Sequence, residues 1–108
     1  MRHAVREEQG SLIVSFDGEF DLEHAPEARR VLLDSIARSE RVLVDLAEVR
    51  YIDSSGVASL VEAFQVARSS GISFALACVS APALRVLELA RLDRVFTIHD
   101  NVANGLRV

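Results

Sequence analysis

Four consecutive residues, Asp53, Ser54, Ser55 and Gly56, set an acid, two hydroxyls and a glycine side by side within "YIDSSGVASL". Small polar side chains in this order suit the start of a helix, where backbone N–H groups lack partners and the helix dipole is positive. An aspartate or serine there caps the helix, which is worth about 0.5–2 kcal/mol, and the glycine lets the chain turn. One such side chain is enough for a cap, and three are present. The same place suits a phosphate, which receives N–H bonds and the dipole, so a serine exposed at this junction is a candidate for phosphorylation.

Other chemistries fit these residues poorly. A nucleophilic serine at a strand-to-helix elbow needs glycine two positions earlier, and Ile52 stands there before Ser54. His3, His24 and His99 are scattered and suggest no triad. A phosphoaccepting aspartate of the receiver type needs a lysine late in the chain, yet all 12 basic residues are arginine. There is no glycine-rich phosphate loop, no dinucleotide fingerprint and no cluster with metal-ligand spacing. An enzyme is not expected, and neither is a metal.

The elements that position the tetrad follow from hydrophobic periodicity. "SLIVSF", Ser11 to Phe16, alternates like a strand, and "HAVREEQG" before it suits an edge strand turning at Gln9 and Gly10. Ala25, Ala28, Val31, Leu32, Ser35 and Ile36 form one helical face, with Pro26 in the first turn and Glu27, Arg29, Arg30 and Asp34 opposite. "RVLVDL", Arg41 to Leu46, reads as a strand. Beyond Gly56, the residues Val57, Leu60, Val61, Phe64 and Ala67 predict the inner stripe of a second helix, which ends at Ser69 to Gly71. Ala58, Ser59, Glu62, Ala63, Gln65 and Val66 are then expected on its outer, mildly apolar face. "ISFALACV" predicts a strand covered on both sides. "SAPALRVLELAR" predicts a helix capped by Ser80, with Leu84, Leu87 and Val86 inward. "VFTI", Val95 to Ile98, predicts a last strand, and "NVANGLRV" a terminal helical turn. The order predicts a single α/β domain over residues 1–108, with a mixed, mostly parallel sheet of four to five strands and helices packed against it. In such sheets functional loops lie where strand ends meet helix starts, and Asp53 to Gly56 occupy such a junction.

Composition narrows the partners. The net charge of −4 argues against nucleic acid or an anionic membrane surface. No run approaches the roughly 20 apolar residues of a membrane span, and "MRHAVREEQG" is polar, so a soluble, cytoplasmic protein is expected. The one cysteine, Cys78, lies in an apolar run and is expected to be a buried small hydrophobe.

"VLVDLAEVRYIDSSGVASLV", Val42 to Val61, resembles the signature of STAS domains, especially the bacterial anti-sigma factor antagonists. "FDGEFDLEHAPEAR" upstream and "SAPALRVLELARLDRVFTI" downstream are similar to that family's flanking stretches, so the likeness covers nearly the whole chain. The resemblance implies a binding switch. The unphosphorylated protein binds an anti-sigma factor, often a serine kinase, and frees the sigma factor. The kinase then phosphorylates the antagonist. On this likeness Ser54 is the phosphorylation site, with Asp53, Ser55 and Gly56 around it. Glu19 and Asp21 form the acidic loop nearby, and Ala58, Ser59 and Glu62 belong to the partner surface. No cofactor is implied, ATP being bound by the kinase, and a monomer or weak dimer is expected. A second role in the family is that of an accessory subunit docking on the ATPase of an ABC-type lipid transporter through the same region. The sequence departs from the family at Ala58, where a second glycine is common, and at His24, where Ser or Thr is common and an exposed residue is expected.

Overall fold

The computed structural model describes residues 1–107. β1 (Arg2–Glu8) and β2 (Ser11–Phe20) form a hairpin, followed by α1 (Ala25–Arg38), β3 (Arg41–Ile52), α2 (Ser54–Ser69), β4 (Ser73–Ala77), α3 (Ala81–Leu89), β5 (Ile98–His99) and α4 (Val102–Leu106). The sheet has five strands in the order β1-β2-β3-β4-β5. β1 is antiparallel to β2 and every other pair is parallel. No helix among the described residues is long and apolar enough to cross a membrane.

Sequential strand order fixes where the helices go. Each crossover from β2 through β5 steps in the same direction, and a right-handed crossover then places its helix on the same face each time. α1, α2 and α3 accordingly share one core with Val14, Phe16, Phe20, Val42, Val44, Leu46, Val49, Ile52, Phe74 and Leu76. The other face carries a smaller cluster of Ile13, Leu43, Ala75 and Ala77 beneath Leu106 of α4.

β3 is longer than the predicted Arg41 to Leu46. While β2 advances from Ser15 to Phe20, β3 advances from Asp45 to Ile52, two residues more, through two irregularities in register. Each extra residue is a bulge that rephases the alternation. Leu46, Val49 and Ile52 therefore all face the helices at intervals of three, where an unbroken strand would have used intervals of two. This delivers Asp53 to the top of the sheet beside the end of β2.

α1 buries the six residues its periodicity predicts. α2 is rotated from expectation: Gly56, Ser59, Leu60, Ala63 and Ala67 are buried, whereas Val57, Val61 and Phe64 are half-buried. α2 packs against α1, where the Ser59 hydroxyl reaches Ala25 C=O, and borders α3 on its other side. Phe64 instead packs in an aromatic cluster with Phe74 and Phe96, its ring 5.4 Å from Phe96. The end of α2 is as expected. Gly71 has φ +73° while Ile72 N–H bonds Ala67 C=O at 2.8 Å and Gly71 N–H bonds Arg68 C=O at 3.3 Å, a Schellman closure.

In α3 the buried residues are Ala83 and Leu87, with Leu84 and Val86 half-buried, and Ser80 caps the helix by accepting from Ala83 N–H. The predicted strand Val95 to Ile98 is mostly a loop. A 3-10 turn over Leu92–Arg94 precedes it, Phe96 anchors it in the core, and pairing begins at Ile98. Cys78 is half-buried at positive φ just beyond β4, not enclosed within it.

Candidate functional site

The predicted tetrad does sit at a strand-to-helix junction, and Asp53 is its keystone. Its Oδ1 accepts the N–H groups of Ser55 at 2.9 Å and Gly56 at 3.2 Å, capping α2. Its Oδ2 accepts the N–H of Leu22 at 3.2 Å, and its own N–H donates to Phe20 C=O at 3.3 Å. One carboxylate thus ties the start of α2 to the loop after β2. Removing it as Asp53→Ala is expected to cost about 1–2 kcal/mol, chiefly from the lost cap, because the exposed Leu22 N–H can turn to water. Asp53→Asn keeps an acceptor for the cap but turns an NH₂ toward Leu22, so roughly half of that loss is expected. Urea unfolding together with hydrogen exchange at the Leu22 amide checks both.

Ser54, the first residue of α2, is exposed, and Ser55 is half-buried. Two donors of the first turn are therefore not open to a phosphate as the sequence suggests: Asp53 already occupies the N–H groups of Ser55 and Gly56. A phosphate on Ser54 would stand outside the cap, beside a carboxylate. Gly56 is buried, because a Cβ there would press on Phe20 C=O and come within 2.8 Å of Ile52 Cγ1. It is a packing position and not a contact for a partner.

The remaining candidates divide by exposure. Ala58 is exposed. Ser59 is 6 % exposed and its hydroxyl donates to Ser55 C=O at 3.2 Å and to Ala25 C=O at 3.4 Å, so it fastens α2 to α1 and offers no partner surface. Ala63 is likewise inside. Glu62 is half-exposed and paired with Arg29 of α1 at 2.5 Å, and its carboxyl is held below the usual range by that hydrogen bond, against some desolvation. Glu19 pairs with Arg50 at 3.2 Å.

Asp21 lies in the loop that Asp53 grips. Its Oδ1 is 2.6 Å from His24 Nδ1 and accepts the His24 N–H, so His24 is half-buried rather than exposed. Desolvation pushes the Asp21 carboxyl up, but these bonds and the neighbouring imidazole outweigh it and the net shift is downward.

Two features of the site had little signal in the sequence. Leu22, 72 % exposed, stands next to the tie to Asp53. An apolar groove opens beside Ser54 between α2 and α3, lined by Val57, Ala58, Val61, Gln65, Val86 and Ala90. The half-burial of Val57 and Val61, which periodicity assigned to the core, is what forms it.

A family model described as the STAS domain matches residues 2–105. The anti-sigma F factor antagonist of Paenibacillus polymyxa is 28% identical over 91% of this chain and 86% of its own length. The anti-sigma-B factor antagonist of Bacillus subtilis (strain 168) is 24% identical over 95% and 94%. Among solved structures, an anti-sigma factor antagonist from Mycobacterium paratuberculosis superposes with a TM-score of 0.89, covering 97% of this chain and 90% of that one at 22% identity.

Proposed function

The chain belongs to the STAS domain family, and from that premise we propose that it is an anti-sigma factor antagonist, a regulatory binding protein rather than an enzyme, switched by phosphorylation of Ser54. In its unphosphorylated form it binds an anti-sigma factor with serine-kinase activity and so releases a sigma factor. The relatives named anti-sigma factor antagonists support this reading. The observation that carries it is the placement of Ser54, exposed on the first turn of α2, between the exposed Leu22 and the apolar groove.

Charge accounts for the switch. Phosphorylation adds about −1.5 to −2 to a chain of net charge −4. Because Asp53 fills the helix cap, the new charge gains little from the first turn and lies in the contact surface, where burial against a partner is penalised by desolvation and by the neighbouring carboxylate. Release of the partner then requires no change of fold. Ser54→Asp is expected to weaken binding of the anti-sigma factor roughly 10- to 100-fold, whereas Ser54→Ala binds like wild type and takes up no phosphate from the kinase and ATP. Calorimetry with the two variants and mass spectrometry of the kinase product test this. Equal affinities, or phosphate on another residue, would sink it.

The same groove favours one second reading, docking on the ATPase of an ABC-type transporter. A stoichiometric complex with such an ATPase, insensitive to Ser54→Asp, distinguishes it.

A further inference from the structure

We infer that β1 is a self-complementary edge, through which two copies of the chain pair antiparallel about Val5 into one continuous sheet. All seven residues of β1, Arg2–Glu8, are exposed, and Val5 is 36 % exposed. The turn after it, with Gln9 at φ +53° and Gly10 at φ +79°, is a two-residue loop of the primed type. In such a hairpin the flanking pair, here Glu8 and Ser11, exchanges hydrogen bonds, so even-numbered residues of β1 bond to β2. The N–H and C=O groups of His3, Val5 and Glu7 then point away from the sheet, an open ladder.

Natural edges are commonly blunted by charge, and a random set of charges on β1 would serve that end. The order of charges here does something more specific. Pairing about a two-fold axis at Val5 sets Arg2 against Glu8 of the second copy, His3 against Glu7, Ala4 against Arg6 and Val5 against Val5. Opposite charges thus meet at both ends with an apolar pair at the centre. Slipping the register by two in one direction opposes Arg2 to Arg6, and in the other it opposes Arg6 to Arg6. Like charges directly opposite are unfavourable, so the alternatives are disfavoured while the symmetric register is favoured. Arg6 already lies 3.3 Å from Glu8 on its own strand, which leaves Glu8 placed between two arginines in the pair.

The association closes at two copies. The opposite edge of the sheet, β5, has two residues, too few to template a full strand, so head-to-tail growth has no second long edge to use. A contact of one strand per copy is small, which places it among reversible, concentration-dependent dimers. α2 and Ser54 lie away from β1 across β2 and β3, so both sites stay open and the dimer presents two of them. The inference is independent of which partner Ser54 contacts.

A charge swap tests it. Arg2→Glu and Glu8→Arg each set like charges at both ends of the symmetric pair, but one copy of each variant restores every opposite pair. Sedimentation of wild type at low salt, from roughly 10 μM to 1 mM, is expected to show a monomer–dimer equilibrium that weakens in high salt. Each variant alone is expected to dimerise about tenfold or more weakly, and their equimolar mixture to recover the wild-type level. Loss of folding in a variant cannot mimic that recovery. Wild type that stays monomeric throughout this range, or variants whose dimerisation is unchanged or is not rescued on mixing, overturns the proposal, the first outcome leaving the edge to a strand from another protein.

Discussion

Gly56→Ala is expected to destabilise the fold by about 3 kcal/mol or more, a large effect for one added methyl group. The added carbon would press on the carbonyl of Phe20 and stand 2.8 Å from both Ile52 Cγ1 and Phe20 Cδ1. Phe20 and Ile52 are paired ends of adjacent strands in the core, so neither yields as a flexible surface side chain would. The helix must lift away, and the N–H of Asp53, which bonds that same carbonyl, loses its partner. A useful control is Gly10→Ala, where nothing lies within 4 Å and the cost comes from the positive φ alone. It is expected to cost about 1–2 kcal/mol. Urea unfolding of the two variants compares them directly. A Gly56→Ala protein as stable as Gly10→Ala would show that α2 is not seated on Phe20.

Leu60→Ala is expected to cost about 2–5 kcal/mol, with the loss in urea midpoint and little change in slope. Leu60 is fully buried in the main core, two turns beyond the Asp53 cap. The core it shares includes β-branched and aromatic residues of the sheet, such as Val44 and Phe74, which their strands hold in place against full collapse into the space. Ser54 remains exposed in this variant, so partner binding under conditions where the protein is folded should be nearly unchanged. The pair of substitutions therefore separates seating of the helix start from packing of its body.

Much of this architecture is legible in the sequence because α1 and the strands are patterned strongly. The six inward residues of α1 fall at helical spacing without exception, and Gln9-Gly10 and Ser69 to Gly71 carry their turn chemistry openly. The rotation of α2 is not legible, because periodicity weighs large apolar residues and the buried face includes Gly56, Ser59 and Ala63, small residues of which Gly56 seats on Phe20 and Ile52 and Ser59 reaches α1. β3 reads as ending at Leu46 because its two bulges break the period of two that defines a strand. "VFTI" has strand composition, yet one residue, Phe96, spends that segment as an anchor.

The tetrad itself is legible as a cap and as a family signature. Its occupancy is not: only the folded chain brings Leu22 N–H to Asp53 Oδ2, 31 residues apart in sequence. That tie fixes the carboxylate beside Ser54, and its other oxygen already holds two of the helix donors.

The strictly sequential order of the strands also has a temporal meaning. During synthesis each strand after β1 emerges to find one neighbour already made and waiting at the growing margin, with no later segment needed to fill a gap between them. The β–α units through α3 can be added vectorially, amino end first, whereas α4 reaches back to β3 and docks last. The two-residue β5 is then the element that ends this growth, offering the next chain on a crowded ribosome almost nothing to extend.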